Sequence, residues 1–154
     1  MKVTFISDTH TYHNKIKLPG GDILIFSGDC MSSGFFPDEL KKFIKWMSKQ
    51  EYKYKVCIAG NHDRYCELLP TDSVKDMFES KGITYLFNNM VEIEGLKIYG
   101  TPYQPYFFDW AFNIKEYNDL YNIFKKIPPK LDILVTHCPP MNILDKSHRY
   151  LPEF

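Results

Sequence analysis

The stretch Gly60-Asn61-His62-Asp63 directly follows the apolar run Val56-Cys57-Ile58-Ala59. A four-residue apolar run bounded by a glycine is typical of a buried strand. Asparagine, histidine and aspartate all carry side chains that can bind a metal ion. The stretch therefore predicts a strand whose carboxyl end presents three candidate ligands in a row.

Three other apolar runs end in the same kinds of side chain. Residues 3–6 lead into Asp8 and His10, residues 23–26 lead into Gly28-Asp29, and residues 133–135 lead into His137. In α/β proteins, ligands bind in the crevice beyond the carboxyl ends of the strands. Four strands that each deliver Asp, His or Asn to that edge predict one shared site.

The composition fits one domain over residues 1–154, because a chain of this length can bury a single sizeable core. Nineteen basic and nineteen acidic side chains cancel, so we expect no broad binding to nucleic acid or to an anionic membrane. No apolar run approaches the roughly 18 residues of a membrane span. The four cysteines include no C-x-x-C pair, which favours a reducing, cytoplasmic setting.

The apolar periodicity predicts helices over residues 37–50, 71–82 and 115–126, with Thr71 as the N-cap of the second. Glu94-Gly95 is a predicted tight turn between two short strands. Strands are predicted over residues 2–6, 23–26, 54–59, 83–87, 90–93, 96–99 and 131–136. Strands first alternate with helices and then follow one another directly, so we expect an α/β fold with mixed sheets.

Five residues at the predicted strand ends are candidate metal ligands: Asp8, His10, Asp29, Asn61 and His137. Their mixture of oxygen and imidazole suits Mn²⁺, Fe²⁺, Zn²⁺, Co²⁺ or Ni²⁺, and we favour Mn²⁺. One aspartate can bridge two ions about 3.5–4 Å apart. Two divalent ions bring more positive charge than two aspartates return, so the site would attract a phosphate and lower the pKa of a bound water.

The remaining polar residues near these ligands suggest catalytic and substrate contacts. His62 is not needed as a ligand, which leaves it free to act as an acid or hydrogen-bond donor for a departing oxygen. Asp63 is expected to orient His62, as carboxylates orient imidazoles elsewhere. Asn61 and His62 are candidate substrate contacts. His13 either faces substrate or lies in a solvated loop, and Arg64 either binds a phosphate oxygen or forms a surface ion pair.

The ordered motifs resemble the signature of the calcineurin-like metallophosphoesterases: Asp8-Thr9-His10, Gly28-Asp29, Gly60-Asn61-His62-Asp63 and Thr136-His137. Further stretches resemble one branch, the metallophosphoesterase-domain-containing proteins of the cyclic nucleotide phosphodiesterase type. These stretches are Tyr99-Gly100-Thr101-Pro102, Asp109-Trp110-Ala111-Phe112-Asn113, and Pro139-Pro140 with Ile143-Leu144-Asp145. The resemblance covers nearly the whole chain.

The resemblance implies a four-layer α-β-β-α sandwich with a dinuclear site at its edge. It implies that Asp8 and His10 hold a first ion, that Asn61 and His137 hold a second, and that Asp29 bridges the two. The implied activity is metal-dependent hydrolysis of a phosphodiester, with a small nucleotide or related phosphate ester as substrate. The alternative is a weak or inactive nucleotide- or metal-binding module that keeps the fold.

The sequence departs from the family pattern after its T-H motif. The family supplies two more ligands from a following G-H-x-H stretch, whereas only His148 follows His137 here. Four explanations are open: a shortened member, a fragment, a second chain that completes the site, or His148 as substitute ligand. A missing last strand would expose a sheet edge, which favours a homo-oligomer.

The segment from Tyr99 to Phe112 is unusually aromatic, with seven rings. Rings stack on nucleobases at about 1–3 kcal/mol each, so the segment is a candidate platform for a nucleotide. The alternative is packing in the core and loops, and we favour this second interpretation.

Overall fold

Two β-sheets packed face to face form the centre of the protein, whose computed structural model describes residues 1–143 and 145. The first sheet contains four parallel strands in the order β1 (Val3–Ile6), β2 (Gly21–Ser27), β3 (Tyr52–Ile58) and β4 (Thr84–Tyr85). Residues 23–26 of β2 are fully buried. This double-sided burial explains why the strand is a continuous apolar run.

Helices cover the outer face of the first sheet. A short 3₁₀ helix (Tyr12–Lys15) links β1 to β2, α1 (Pro37–Ser48) links β2 to β3, and α2 (Arg64–Leu68) and α3 (Thr71–Glu79) link β3 to β4. The apolar stripes of α1 and α3 pack against Leu24 and Phe26 of β2. Thr71 is the first residue of α3 rather than its cap, because the extended Pro70, with ψ of 135°, already precedes the first turn.

The second sheet is mixed. Strand β5 (Asn89–Ile93) runs antiparallel to β6 (Leu96–Thr101), and β6 runs parallel to β9 (Ile133–Thr136). The predicted turn at Glu94-Gly95 is confirmed, with positive φ angles of 49° and 84°. Two short strands, β7 (Gln104–Pro105) and β8 (Asn113–Ile114), pair with each other, and α4 (Tyr117–Phe124) follows them.

The four layers follow from what each face buries. Between the sheets lies an apolar layer of Ile23, Ile25, Val56, Ile58, Leu86, Ile93, Ile98 and Val135. Helices α1 and α3 lie outside the first sheet, and α4 lies outside the second, where it and β9 line an apolar groove of about 640 Å³. The predicted α-β-β-α sandwich is confirmed. The first sheet is wholly parallel because every connection between its strands crosses over rather than forming a hairpin.

Two sequence-based expectations concern membrane spans and the residue His148. Within the described residues, no helix is long and apolar enough to cross a membrane. His148, the candidate substitute ligand, lies outside the described residues.

Candidate metal centre

The loops that follow β1, β2, β3 and β9 meet at one end of the two sheets, around the side chain of Asp29. This carboxylate is buried, with the residue only 2% exposed. Its Oδ2 lies 3.6 Å from Nε2 of His10, and its Oδ1 lies 3.3 Å from Nε2 of His137. The two oxygens of one carboxylate therefore face two imidazoles that come from different sheets.

His137 is oriented by a backbone carbonyl on one side and by the site on the other. Its Nδ1 lies 2.9 Å from the Ser27 carbonyl oxygen, and its Nε2 lies 2.8 Å from Oδ1 of Asn61. An imidazole that donates Nδ1–H to a carbonyl presents Nε2 as its ligating atom. Asp8 adds a carboxylate oxygen within 4.8 Å of the donor atoms of Asp29 and His137.

The charges of Asp29 and His137 support each other. Burial lowers the pKa of His137, but the hydrogen bond and charge of Asp29 outweigh burial and raise this pKa to about 9. Burial raises the pKa of Asp29, but His137 and the backbone N–H of His62, 2.8 Å from Oδ1, bring it below its usual value. A divalent ion between these groups would take the place of the Nε2 proton.

His10 and His62 form the other half of the cluster and follow the same pattern. Nδ1 of His10 lies 3.0 Å from the Met31 carbonyl oxygen, and Nδ1 of His62 contacts the Ser32 carbonyl oxygen. One donor atom each from His10, Asp29 and His62 lie within 4.8 Å of one another. The structure thus groups His10 with His62, and Asp8 with His137, around a common Asp29, whereas the resemblance implied that Asp8 and His10 act as a pair.

Asp63 does not orient His62, contrary to our expectation, and its carboxylate does not reach the centre. Its carboxylate is buried and accepts four backbone N–H bonds of 2.8 to 3.0 Å, from Asp29, Cys30, Met31 and Gly60. Both carboxylate oxygens are therefore occupied by the chain itself. Burial raises the pKa of Asp63, while the Gly60 and Met31 N–H groups oppose the rise. Asp63 joins the loop after β2 to the loop after β3.

Two glycines allow these loops to approach the ligands closely. A Cβ on Gly60 would lie 2.7 Å from the Asp29 nitrogen and 2.8 Å from Cε1 of His137. A Cβ on Gly28 would lie 2.8 Å from Nδ1 of His137. Any side chain at either position would fill the space in which the donor atoms converge.

The ligand-bearing backbone itself is strained. Asp8, His10 and Asp29 have φ angles of 53°, 40° and 64°, in the left-handed region that residues other than glycine seldom adopt. Hydrogen bonds from Asp8 N to Gly28 O, 3.0 Å, and from His10 N to Asp29 O, 3.1 Å, hold the two loops side by side. Such strain is characteristic of functional sites that the surrounding structure holds in place.

Two predicted substrate contacts lie elsewhere. His13 is 2% exposed, and its ring packs 5.5 Å from Phe43 and 5.2 Å from Trp46, measured between ring centroids, so it neither faces substrate nor lies in solvent. Arg64 forms an ion pair of 2.9 Å with Glu67 and also donates to the Asp109 carbonyl. Of the two interpretations of Arg64, the geometry favours the ion pair.

The rings of the aromatic segment, residues 99–112, differ in burial, so the two interpretations apply to different rings. Tyr99 and Phe112 are buried in the fold, whereas Phe107 and Phe108 are exposed. Trp110 stacks on His62, with ring centroids 3.9 Å apart and an interplanar angle of 28°. The density of rings in the sequence did not indicate which ring touches the site.

The donor set fits divalent metal ions. Carboxylate, amide oxygen and imidazole groups converge, and such mixed ligands suit first-row divalent ions. Each histidine of the cluster has its Nδ1 against a backbone carbonyl, which is the usual arrangement around metal-binding histidines. The residues could therefore hold ions around the Asp29 carboxylate.

Comparison with known proteins agrees with this geometry. A family model described as calcineurin-like phosphoesterase matches residues 1–152. Metallophosphoesterase domain-containing protein 1 of Homo sapiens is 35% identical over 160 residues, covering 91% of this chain and 49% of that protein. UPF0046 protein T07D4.2 of Caenorhabditis elegans is 36% identical over 151 residues, covering 81% of this chain and 38% of that protein.

The chain spans about half the length, or less, of these curated relatives. Within that span, the match includes every strand end that contributes to the centre described above. The chain belongs to the calcineurin-like phosphoesterase family.

Proposed function

We propose that this protein is a metal-dependent phosphodiesterase that hydrolyses a small nucleotide or related phosphate ester. The observation that carries the proposal is the Asp29 carboxylate, whose two oxygens face His10 at 3.6 Å and His137 at 3.3 Å. A carboxylate placed in this way can be shared between two ions. Family membership supports the same general chemistry.

The proposed ligands are the five residues expected from the sequence: Asp8, His10, Asp29, Asn61 and His137. We propose two divalent ions and favour Mn²⁺ over Fe²⁺, Zn²⁺, Co²⁺ and Ni²⁺, because the three oxygen donors outnumber the two imidazoles here. When bound, such ions supply positive charge for the phosphate and lower the pKa of the attacking water.

His62 and Asn61 are the proposed contacts to the substrate. Nδ1–H of His62 donates to the Ser32 carbonyl, and in the protonated ring Nε2–H is then left to give a proton or hydrogen bond to the departing oxygen. Oδ1 of Asn61 faces His137, which leaves the amide N–H groups of Asn61 for a phosphate oxygen. Asp63 contributes indirectly by holding the two loops that carry Asp29 and His62.

The proposal is tested by turnover of bis-p-nitrophenyl phosphate and 2′,3′-cyclic AMP with added Mn²⁺. We expect turnover that falls by about 100-fold or more in Asn61→Ala and His62→Ala, the scale of a lost acid or positioning group. Asn118→Ala, on the exposed surface of α4, is the matched control and should behave as wild type. Turnover that survives both site substitutions would contradict the assignment, and binding without turnover would support the alternative of a binding module.

We make two further proposals, on the oligomeric state of the protein and on its cellular compartment. Among the described residues, strand β9 lies at an edge of the second sheet, and an unpaired strand edge favours pairing with another copy. We therefore propose a homo-oligomer, and light scattering that finds only monomer would contradict it. All four cysteines are free thiols, which supports a reducing, cytoplasmic setting.

A further inference from the structure

Trp110 covers one face of His62. The two rings are stacked, with centroids 3.9 Å apart and planes inclined by 28°. On another side, His10 meets the same imidazole edge to face, with centroids 4.6 Å apart and an angle of 83°. These two neighbours restrict the rotation of the half-buried imidazole about its Cβ–Cγ bond.

The backbone around Trp110 is attached to the segment that carries His62. The Ala111 N–H donates to the Asn61 carbonyl oxygen at 3.0 Å, and the Phe112 N–H donates to Oε1 of Glu67 at 2.6 Å. On the other side of Trp110, the Asp109 carbonyl accepts from Arg64. Trp110 therefore stands on a loop that is fixed, on both sides, to residues 61–67.

Among the described residues, the remaining support of the His62 ring is a single hydrogen bond. Its Nδ1–H donates to the Ser32 carbonyl oxygen, so in the protonated ring the second proton lies on Nε2, from which it can pass to the departing oxygen. One hydrogen bond leaves the ring able to swing about that contact. The flat face of Trp110 removes this freedom, because stacked rings are held in a preferred offset geometry.

We propose that Trp110 is a positioning residue, which holds the His62 imidazole in the orientation that presents Nε2 to the departing oxygen of the substrate. This inference rests on the proposed function for the role of His62. The position of the ring can nevertheless be tested without turnover. Trp110 acts through His62 and needs no contact with the substrate.

The structural test uses NMR of the His62 ring protons in the intact protein. A stacked indole shifts these resonances upfield, so Trp110→Leu should move them downfield, and Trp110→Phe should restore part of the upfield shift. Phe107→Leu is the matched control, because Phe107 lies in the same segment, is 58% exposed and packs on Phe108 rather than on His62. His62 resonances that do not change in Trp110→Leu would overturn the proposal.

The functional test compares a good leaving group with a poor one. Protonation by His62 matters more for the alkoxide of 2′,3′-cyclic AMP than for p-nitrophenolate. Trp110→Leu should therefore lower kcat for the cyclic nucleotide about 10-fold more than for bis-p-nitrophenyl phosphate, with KM little changed. In a His62→Asn background, the same substitution should have no further effect. Equal losses on both esters, or additive losses with His62→Asn, would contradict positioning through His62.

The NMR test and the kinetic test together distinguish a failure of this inference from a failure of the proposed function. If the wild-type protein hydrolyses neither ester but Trp110→Leu moves the His62 resonances, the proposed phosphodiesterase activity fails while the orienting contact is supported. If turnover is present and Trp110→Leu changes neither the resonances nor kcat, the phosphodiesterase assignment stands and the role of Trp110 is overturned.

Discussion

The two sheets contribute to the centre in different ways. The first sheet supplies Asp8, His10, Asp29 and Asn61 from three loops, and Asp63 joins two of these loops through four backbone hydrogen bonds. Within the part of the chain that the structure describes, the second sheet supplies only His137, from the end of β9. Leu134 of that strand is 48% exposed, and α4 faces β9 across an open apolar groove.

Hydrogen bonds within the chain itself hold most of the side chains around Asp29 in place. The carbonyls of Ser27, Met31 and Ser32, all in or after β2, orient the three imidazoles that surround Asp29. Even His137, which comes from the second sheet, is therefore aligned by the first. We infer that the first sheet determines the geometry of the centre, and that the second sheet completes it.

The largest expected effect comes from breaking the connection between the first-sheet loops. Asp63→Asn exchanges a carboxylate oxygen for an NH₂ group that cannot accept, and leaves buried N–H groups unpaired. We expect a loss of about 3 kcal/mol in the free energy of unfolding, measured by urea denaturation. Asp109→Asn is the matched control, because its side chain is fully exposed. Equal losses in the two variants would contradict the role of Asp63.

A smaller effect is expected where the loops approach His137 from the second sheet. Gly60→Ala places a methyl group 2.8 Å from the His137 ring and should weaken Mn²⁺ binding at least about 10-fold, measured by calorimetry. Gly82→Ala is the control: it strains a residue with φ of 71° but meets nothing within 4 Å. It should lower stability by about 1 kcal/mol without changing Mn²⁺ affinity. Similar Mn²⁺ affinities in the two variants would show that the close approach of Gly60 to the His137 ring does not influence metal binding.

The smallest effect concerns His13, which anchors the loop of Asp8 and His10 against α1. Burial lowers the pKa of His13 below its usual value, and neither ring nitrogen has a hydrogen-bond partner within the described residues. The unfolded chain therefore takes up a proton more readily than the folded protein as the pH falls below about 6.5. Each proton that the unfolded chain binds and the folded protein does not bind lowers the free energy of unfolding by about 1.4 kcal/mol per pH unit.

His13→Phe should remove this contribution, because phenylalanine fills the same apolar position without titrating. We expect the wild type to lose about 1 kcal/mol more than His13→Phe between pH 7 and pH 5.5, measured by urea denaturation at each pH. Parallel losses in the two proteins would show that His13 does not titrate in this range.

The sequence was sufficient to predict the architecture and the gathering of candidate ligands at one edge of the sheets, for a physical reason. Buried parallel strands are continuous apolar runs, and the polar residue that ends such a run must lie at the edge of the sheet. Asp29, Asn61 and His137 each stand at such an edge, and the structure brings them together. The turn at Glu94-Gly95 likewise depends on adjacent residues alone, and the structure confirms it.

The sequence was not sufficient where a residue's partners lie far away along the chain. Asp63 follows His62 directly, which suggested that it orients His62, but its partners at residues 29–31 are more than thirty positions away. His13 was placed against substrate or solvent because its packing against Phe43 and Trp46 of α1 cannot be deduced from spacing. Backbone carbonyls that orient the imidazoles have no signature in the residue types.

Counting bound Mn²⁺ by calorimetry and electron paramagnetic resonance decides whether the Asp29 carboxylate, on which the two sheets converge, serves two ions as we propose. We predict two ions per chain in the wild type, one in His10→Asn, one in His137→Asn, and none in Asp29→Asn. Asp29→Asn that still binds two ions with wild-type affinity would contradict the claim.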